Sequence, residues 1–199
     1  MISGLARRAG ALGALGVLAT LGLACLPAHA ATDGDFTQLM ALLAARQQGR
    51  ASFVARTYAP GLRRPLVSSG ELRYHAPDHL EQRTLEPTPS ELILDGEQLT
   101  VQRGSHTRRL NLRDYPDIAV YVDALRDTLG GHGAGLERRF VVRLTGTLAH
   151  WQLFLSPRQG NSSVRRIQLT GARADIRTIE ILAPDGARTV MRIGPPSAS

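Results

Sequence analysis

Downstream of residue 30 the apolar positions change period three times. Phe36, Leu39, Met40, Leu42 and Leu43 recur at helical spacing and predict an amphipathic helix, with Thr32 or Asp33 to cap it and Gly49 to stop it. From residue 51 the period drops to two. Runs at 51–58, 66–75, 80–85, 91–94, 98–103 and 107–112 read as strands, punctuated by Ala59-Pro60-Gly61, Pro77, Asp95-Gly96 and Gly104-Ser105. The Asp-Gly pair between two short runs is a strong hairpin signal. The helical period then returns. Ile118, Tyr121, Val122, Leu125 and Leu129 fall at i, i+3, i+4, i+7 and i+11, with Pro116 in the first turn and Gly130-Gly131 as the stop. The stretch 130–135 reads as a glycine-rich linker. Strand character resumes at 138–145, 151–156, 164–170, 176–181 and 189–193, and the tail 194–199 reads as loose.

This order is helix, about six strands, helix, about five strands. Short turns between successive strands make the pairing antiparallel. One sheet of that length must curl to hide an apolar face. Two amphipathic helices are available to cover it. The fold class expected is α+β: an incomplete antiparallel barrel of about eleven strands, with lid helices over an apolar hollow.

The first thirty residues carry a different pattern. Arg7 and Arg8 precede an uncharged stretch rich in Leu, Ala and Gly, and Ala28-His29-Ala30 places small residues at the −3 and −1 positions of a cleavage site. That is a secretory signal peptide, with 31–199 as a single mature domain exported to the periplasm. The competing reading is lipidation of Cys25, the only cysteine, but Leu23 stands one place too close to it for a good lipobox. Cleavage after Ala30 discards Cys25 and leaves no thiol chemistry. All 24 basic residues are arginine. Without Arg7 and Arg8, 22 arginines face 17 acidic residues, a net of +5. No long basic run accompanies this, so nucleic acid is not expected as a partner. Mild attraction to anionic headgroups fits better, beside the plainer reading of an arginine-rich surface.

No catalytic constellation emerges. The nucleophile-elbow, P-loop and dinucleotide patterns are missing. His75 and His79 are four apart but flank Pro77, with Asp78 as the near carboxylate, and read as rim histidines rather than a metal pair. Asp114, Asp117, Asp123 and Asp127 read as the solvated face of the second helix. Ser68-Ser69 and Ser162-Ser163 lack a base motif. No enzyme activity, cofactor or metal is expected.

Three short motifs, in order, carry a resemblance. Ser69-Gly70-Glu71-Leu72-Arg73-Tyr74-His75-Ala76-Pro77 is a strand running from Gly into Pro. Leu92-Ile93-Leu94-Asp95-Gly96-Glu97-Gln98-Leu99 is a "DG..L" hairpin, and Trp151-Gln152-Leu153-Phe154-Leu155-Ser156-Pro157 is a later "L.P" strand. Together they resemble the LolA family of periplasmic outer-membrane lipoprotein carriers, from about residue 35 to 193. LolB-like receptors and the sensor domain of RseB-like regulators share that fold, and a receptor or sensing module is the alternative function. The resemblance implies non-covalent carriage of a lipid or lipoprotein cargo by a monomer, between an inner-membrane donor and an outer-membrane acceptor. Acyl chains cost about 0.8 kcal/mol per CH₂ in water, so such a carrier must offer an apolar concavity. Carried over by position, Phe53, Leu72, Tyr74, Leu80, Leu99 and Val101 would face the cavity. Phe36, Leu39 and Leu43 would form one lid stripe and Tyr121, Val122 and Leu125 the other. One departure stands out: the family's Arg before the motif's Pro is Ala76 here, so the Arg latch is missing at that position. The chain better resembles the divergent members whose cargo is another lipid or lipid-linked product.

Overall fold

The computed structural model describes residues 33–159 and 163–196. The signal peptide, Cys25, Thr32 and Ser162 lie outside the described residues. The chain opens with α1 (Asp33–Ala44) and turns through Arg46, whose N–H reaches Leu43 O at 3.0 Å. Gly49 does not stop this helix; it already lies in β1 (Gln48–Tyr58). Then follow β2 (Leu66–His75), β3 (His79–Glu86), β4 (Ser90–Asp95), β5 (Gln98–Arg103) and β6 (His106–Asn111). A 3-10 turn, Leu112–Asp114, leads into α2 (Pro116–Leu129) and α3 (Gly133–Arg139). The chain closes with β7 (Phe140–Thr147), β8 (His150–Pro157), β9 (Arg166–Ala172), β10 (Asp175–Leu182) and β11 (Arg188–Pro196).

All eleven strands belong to one sheet with the order β6-β5-β4-β3-β2-β1-β11-β10-β9-β8-β7. Each half is a meander, and the halves meet where β1 pairs with β11. Every pairing is antiparallel. The sheet is open: β6 and β7 are its edges, and the segment holding α2 and α3 joins them. The Asp95-Gly96 hairpin forms as expected, with Gly96 at φ 56° where a side chain would be strained.

Three expectations need correction. The glycine-rich stretch after α2 is not a linker, because Gly133–Arg139 is helical. It needs its glycines for packing: a Cβ on Gly135 would crowd Asp127 Oδ2 at 2.6 Å, and one on Gly133 would press on Phe36 at 3.0 Å. The tail is not loose from residue 194, since β11 runs to Pro196, opposite Ala51. Leu42 leaves the apolar stripe of α1 and is 38% exposed.

The core forms two clusters. The larger joins Leu39, Met40 and Leu43 of α1, Ala124 of α2 and Leu136 of α3 to the inner faces of β7–β10, including Trp151, Leu153, Leu155, Ile167 and Leu169. The Trp151 indole occupies the space a side chain at Gly171 would need, and its Nε1–H donates to Arg173 O at 2.9 Å. The smaller cluster is Leu94, Leu99 and Leu112, with Leu80, Leu92, Val101 and Leu110 around it and Ile118, Ala119 and Val122 of α2 above. Helix α2 is shared: Val120, Tyr121 and Leu125 pack on the first cluster, Ile118 and Val122 on the second. Its 3.6-residue period lets one short helix serve two cores. Among the described residues no helix is long and apolar enough to cross a membrane.

Candidate functional site

Strand register carries the predicted residues onto one face. Tyr74 lies opposite Gly49 and Leu80, Leu80 opposite Leu94, and Leu94 opposite Leu99. One row along, Ala51, Leu72, Gln82, Leu92 and Val101 align across β1–β5. Phe53 shares the parity of Ala51. Since Leu94 and Leu99 pack beneath α2, this is the face the helices cover. Gly70, opposite Phe53, marks a register shift between β2 and β3, and a side chain there would collide with the Arg83 carbonyl. That collision is the physical reason for the glycine in the Ser69-Gly70 motif.

The twelve candidates separate into three groups. Leu39 and Leu43 are fully packed in the larger cluster, with Phe36, Tyr121 and Leu125 against it. Leu99 is buried in the smaller cluster, with Leu80, Val101 and Val122 against it. Phe53, Leu72 and Tyr74 belong to neither, although Phe53 and Tyr74 are buried. They form a middle zone on β1 and β2, between the two cores.

The middle zone has a polar side. Thr84 is buried and Gln82 half-buried on the same face of β3. Among the described residues, Tyr74 Oη is the one buried side-chain polar atom with no hydrogen-bond partner. Burial, and secondarily the Asp78 carboxylate, push the Tyr74 phenol above its ordinary value of 10.0. It therefore stays a neutral hydroxyl with an unused donor and acceptor.

Helix α2 is fastened from its own side. Arg126 Nη2 donates to Asp123 Oδ1 at 2.6 Å, while its Nη1 reaches Gly96 O at 3.3 Å and Glu97 Oε1 at 3.5 Å in the β4–β5 turn. The backbone N–H of Ala76 donates to Gln47 O at 2.7 Å. The acidic residues of α2 are not all solvated: Asp127 is buried and accepts from Arg139 Nη1, and Asp123 also meets Arg139 Nε at 3.4 Å. The pairing escaped the sequence reading because Arg139 lies beyond the glycines. The Asp123/Arg126 spacing of three was the available clue.

Two hollows lie away from the middle zone. A groove of about 410 Å³ between α1 and α3 is lined by Phe36, Met40, Ala41, Gly133 and Glu137 among others. A polar recess of about 580 Å³ at the β4–β6 edge is lined by residues including Asp95, Glu97, Arg109 and Asp114. Of the twelve candidates, Phe36 alone lines either hollow. His79 Nε2 lies 3.0 Å from Glu81 Oε1, so Glu81, not Asp78, is its carboxylate neighbour. No group of three or more metal-binding side chains occurs among the described residues.

No curated protein matches the chain. Several solved structures are similar to the chain. A LolA superfamily protein from Nitrosomonas europaea is 10% identical, covering 81% of this chain and 92% of that one, with a TM-score of 0.44. A DUF1329 family protein from Desulfovibrio piger is 11% identical over 83% and 91%, at 0.47. A lipoprotein-sorting protein domain from Vibrio parahaemolyticus is 8% identical over 81% and 91%, at 0.43. The family described as outer membrane lipoprotein carrier protein LolA-like matches residues 28–193. The single antiparallel sheet, open between β6 and β7 and covered by helices, is the architecture the motif series implied, and the chain belongs to the LolA-like family.

Proposed function

We propose that the chain is a periplasmic carrier that binds an acylated lipid or lipid-linked cargo on the inner face of its sheet, without chemical conversion. One observation supports this most: Phe53, Leu72 and Tyr74 stand on the covered face but outside both packed cores. Phe53 and Tyr74 are buried there, but Leu72 is only half-buried, as are Leu80, Leu92 and Val101 beside it, and apolar surface left partly uncovered is what an acyl chain requires. Helix α2 bridges the two cores that flank the zone, and its Arg126 contacts with the β4–β5 turn are those that lifting it must break. With Ala76 in the β2–β3 turn, the fastening in this reading falls to Arg126 on the helix. Export with cleavage after Ala30 makes the carrier soluble, and the intact mass of the exported protein distinguishes this from lipidation at Cys25.

The test is native mass spectrometry and lipid extraction of protein recovered from periplasm, for the parent and for Leu72→Glu. The parent is expected to carry an acylated molecule. Because Leu72 is half-buried outside the cores, Leu72→Glu is expected to fold and to lose cargo at least tenfold, a charge in an acyl site being costly. A lipid-free parent, or a folded Leu72→Glu protein with unchanged cargo, overturns the reading.

A further inference from the structure

The connection from β1 to β2 concentrates features that the carrier reading leaves unused. Its start is a tight turn, with Leu62 N–H on Ala59 O at 3.1 Å, and Pro60 and Pro65 restrict the chain on either side of the tip. Gly61 sits at φ 85°, and a side chain there would meet nothing within 4 Å, so the tip stands out from the body. Around it are Tyr58, Leu62, Leu66, Val67 and Leu85, with Leu66 62% exposed and the others between 38% and 48%. Single exposed apolar residues are ordinary, but five gather as a patch around this corner, Leu66 on one face of β2 and Val67 on the other. Register holds the corner together: Leu66 lies opposite Thr57, Val67 opposite Arg56, and Arg188 opposite Tyr58.

Basic charge is interleaved with this patch. Arg63 and Arg64 sit between Leu62 and Leu66, are exposed, and meet no carboxylate among the described residues. Arg188 stacks over Tyr58 at 5.0 Å and pairs with Glu180 at 3.7 Å. The acidic groups on this rim are Glu86, exposed at the end of β3, and Asp185, which accepts from Ala187 N–H in the β10–β11 turn. The opposite rim is mixed: Asp78, Asp95, Glu97 and Asp175 lie in or beside its turns, with Arg46 paired to Asp175, Arg126 to Glu97, and Arg173 in the β9–β10 turn.

We propose that this loop is a docking surface for an anionic phospholipid bilayer. Leucines at a stiff, projecting tip enter the boundary between headgroups and acyl chains. The adjacent guanidinium groups each donate several hydrogen bonds to phosphate and are more weakly hydrated than an ammonium. An apolar tip flanked by Arg63 and Arg64, which meet no carboxylate among the described residues, matches a surface that is negative outside and apolar within. The proposal does not depend on what the inner face carries.

Co-sedimentation of the purified full chain with vesicles of phosphatidylglycerol and phosphatidylethanolamine, against phosphatidylcholine alone, tests it. Binding is expected to the anionic vesicles only and to weaken with salt. At about fivefold per arginine, Arg63→Gln/Arg64→Gln is expected to lower partitioning about 25-fold. Leu62→Asp/Leu66→Asp should abolish it. All four positions are exposed, so both variants should unfold at the parent's temperature. Arg50→Gln/Arg73→Gln, which removes the same charge far from the loop, should leave binding unchanged. No binding by the parent, equal binding by the loop variants, or an equal loss in the Arg50/Arg73 control overturns the proposal.

Discussion

The two halves of the sheet are built from similar strands but packed differently. In β8 and β9 burial alternates almost without fault, and their inward residues Trp151, Leu153, Leu155, Ile167 and Leu169 are at most 1% exposed. In β5 and β6 the alternation fades, and Leu110 is the one residue of β6 that is even half-buried. The difference lies in the cover. Helices α1 and α3 and one side of α2 lie over β7–β10, whereas the other half has only the second side of α2 and the 3-10 turn. One half thus holds the fold together and the other leaves inner surface unclaimed. A carrier needs both, because a face spent on packing is not available to cargo.

Mutations at matched positions would break or sharpen this contrast. Leu153→Ala, in the dense half, should cost about 3–4 kcal/mol and lower the urea midpoint of the whole protein. Leu99→Ala, in the thin half, should cost about 2 kcal/mol and speed amide exchange in β4–β6 while β8–β9 stay protected. Equal costs with uniform exchange would erase the distinction between the halves. Tyr74→Phe has the smallest effect and the opposite sign. It removes a buried hydroxyl that bonds to nothing, so stability should stay level or rise by up to about 1 kcal/mol. The raised phenol pKa gives the pH dependence: folding favours the protonated form, so its contribution is complete below pH 10.0 and lost above it. Tyr74→Phe should remove that alkaline loss, measured as the difference in unfolding midpoint between neutral and alkaline buffer.

The strands were legible because their signals are local. Alternation and the Asp95-Gly96 and Gly104 turns mark the hairpins, and antiparallel neighbours follow from short connections. Helix α3 was not legible, since Gly133 and Gly135 disfavour helix and are chosen for close approach to Phe36 and Asp127. Burial of Asp127 was hidden for the same reason: its partner Arg139 reaches it only once α3 forms. The inward placing of Phe53, Leu72, Tyr74, Leu80, Leu99 and Val101 came from the family resemblance, carried over by position. Which of them sit in a packed core depends on where α2 lies, and no strand period encodes that.

The seam between β1 and β11 has a consequence for how the chain acquires its shape. Either side of it, each strand pairs with its neighbour in sequence, so both half-sheets can grow from nearby contacts. At the seam, Thr57 and Thr189 share a hydrogen bond at 3.0 Å across 132 residues of chain. Such a contact bears the largest loop-closure entropy in the sheet. The strand that completes the inner face around Phe53 is also the last of the eleven in chain order, and so is synthesised after the other ten. Until it arrives, β1 is a bare edge with unpaired N–H and C=O groups, and the order of synthesis decides how long that edge stays open to pairing with other chains.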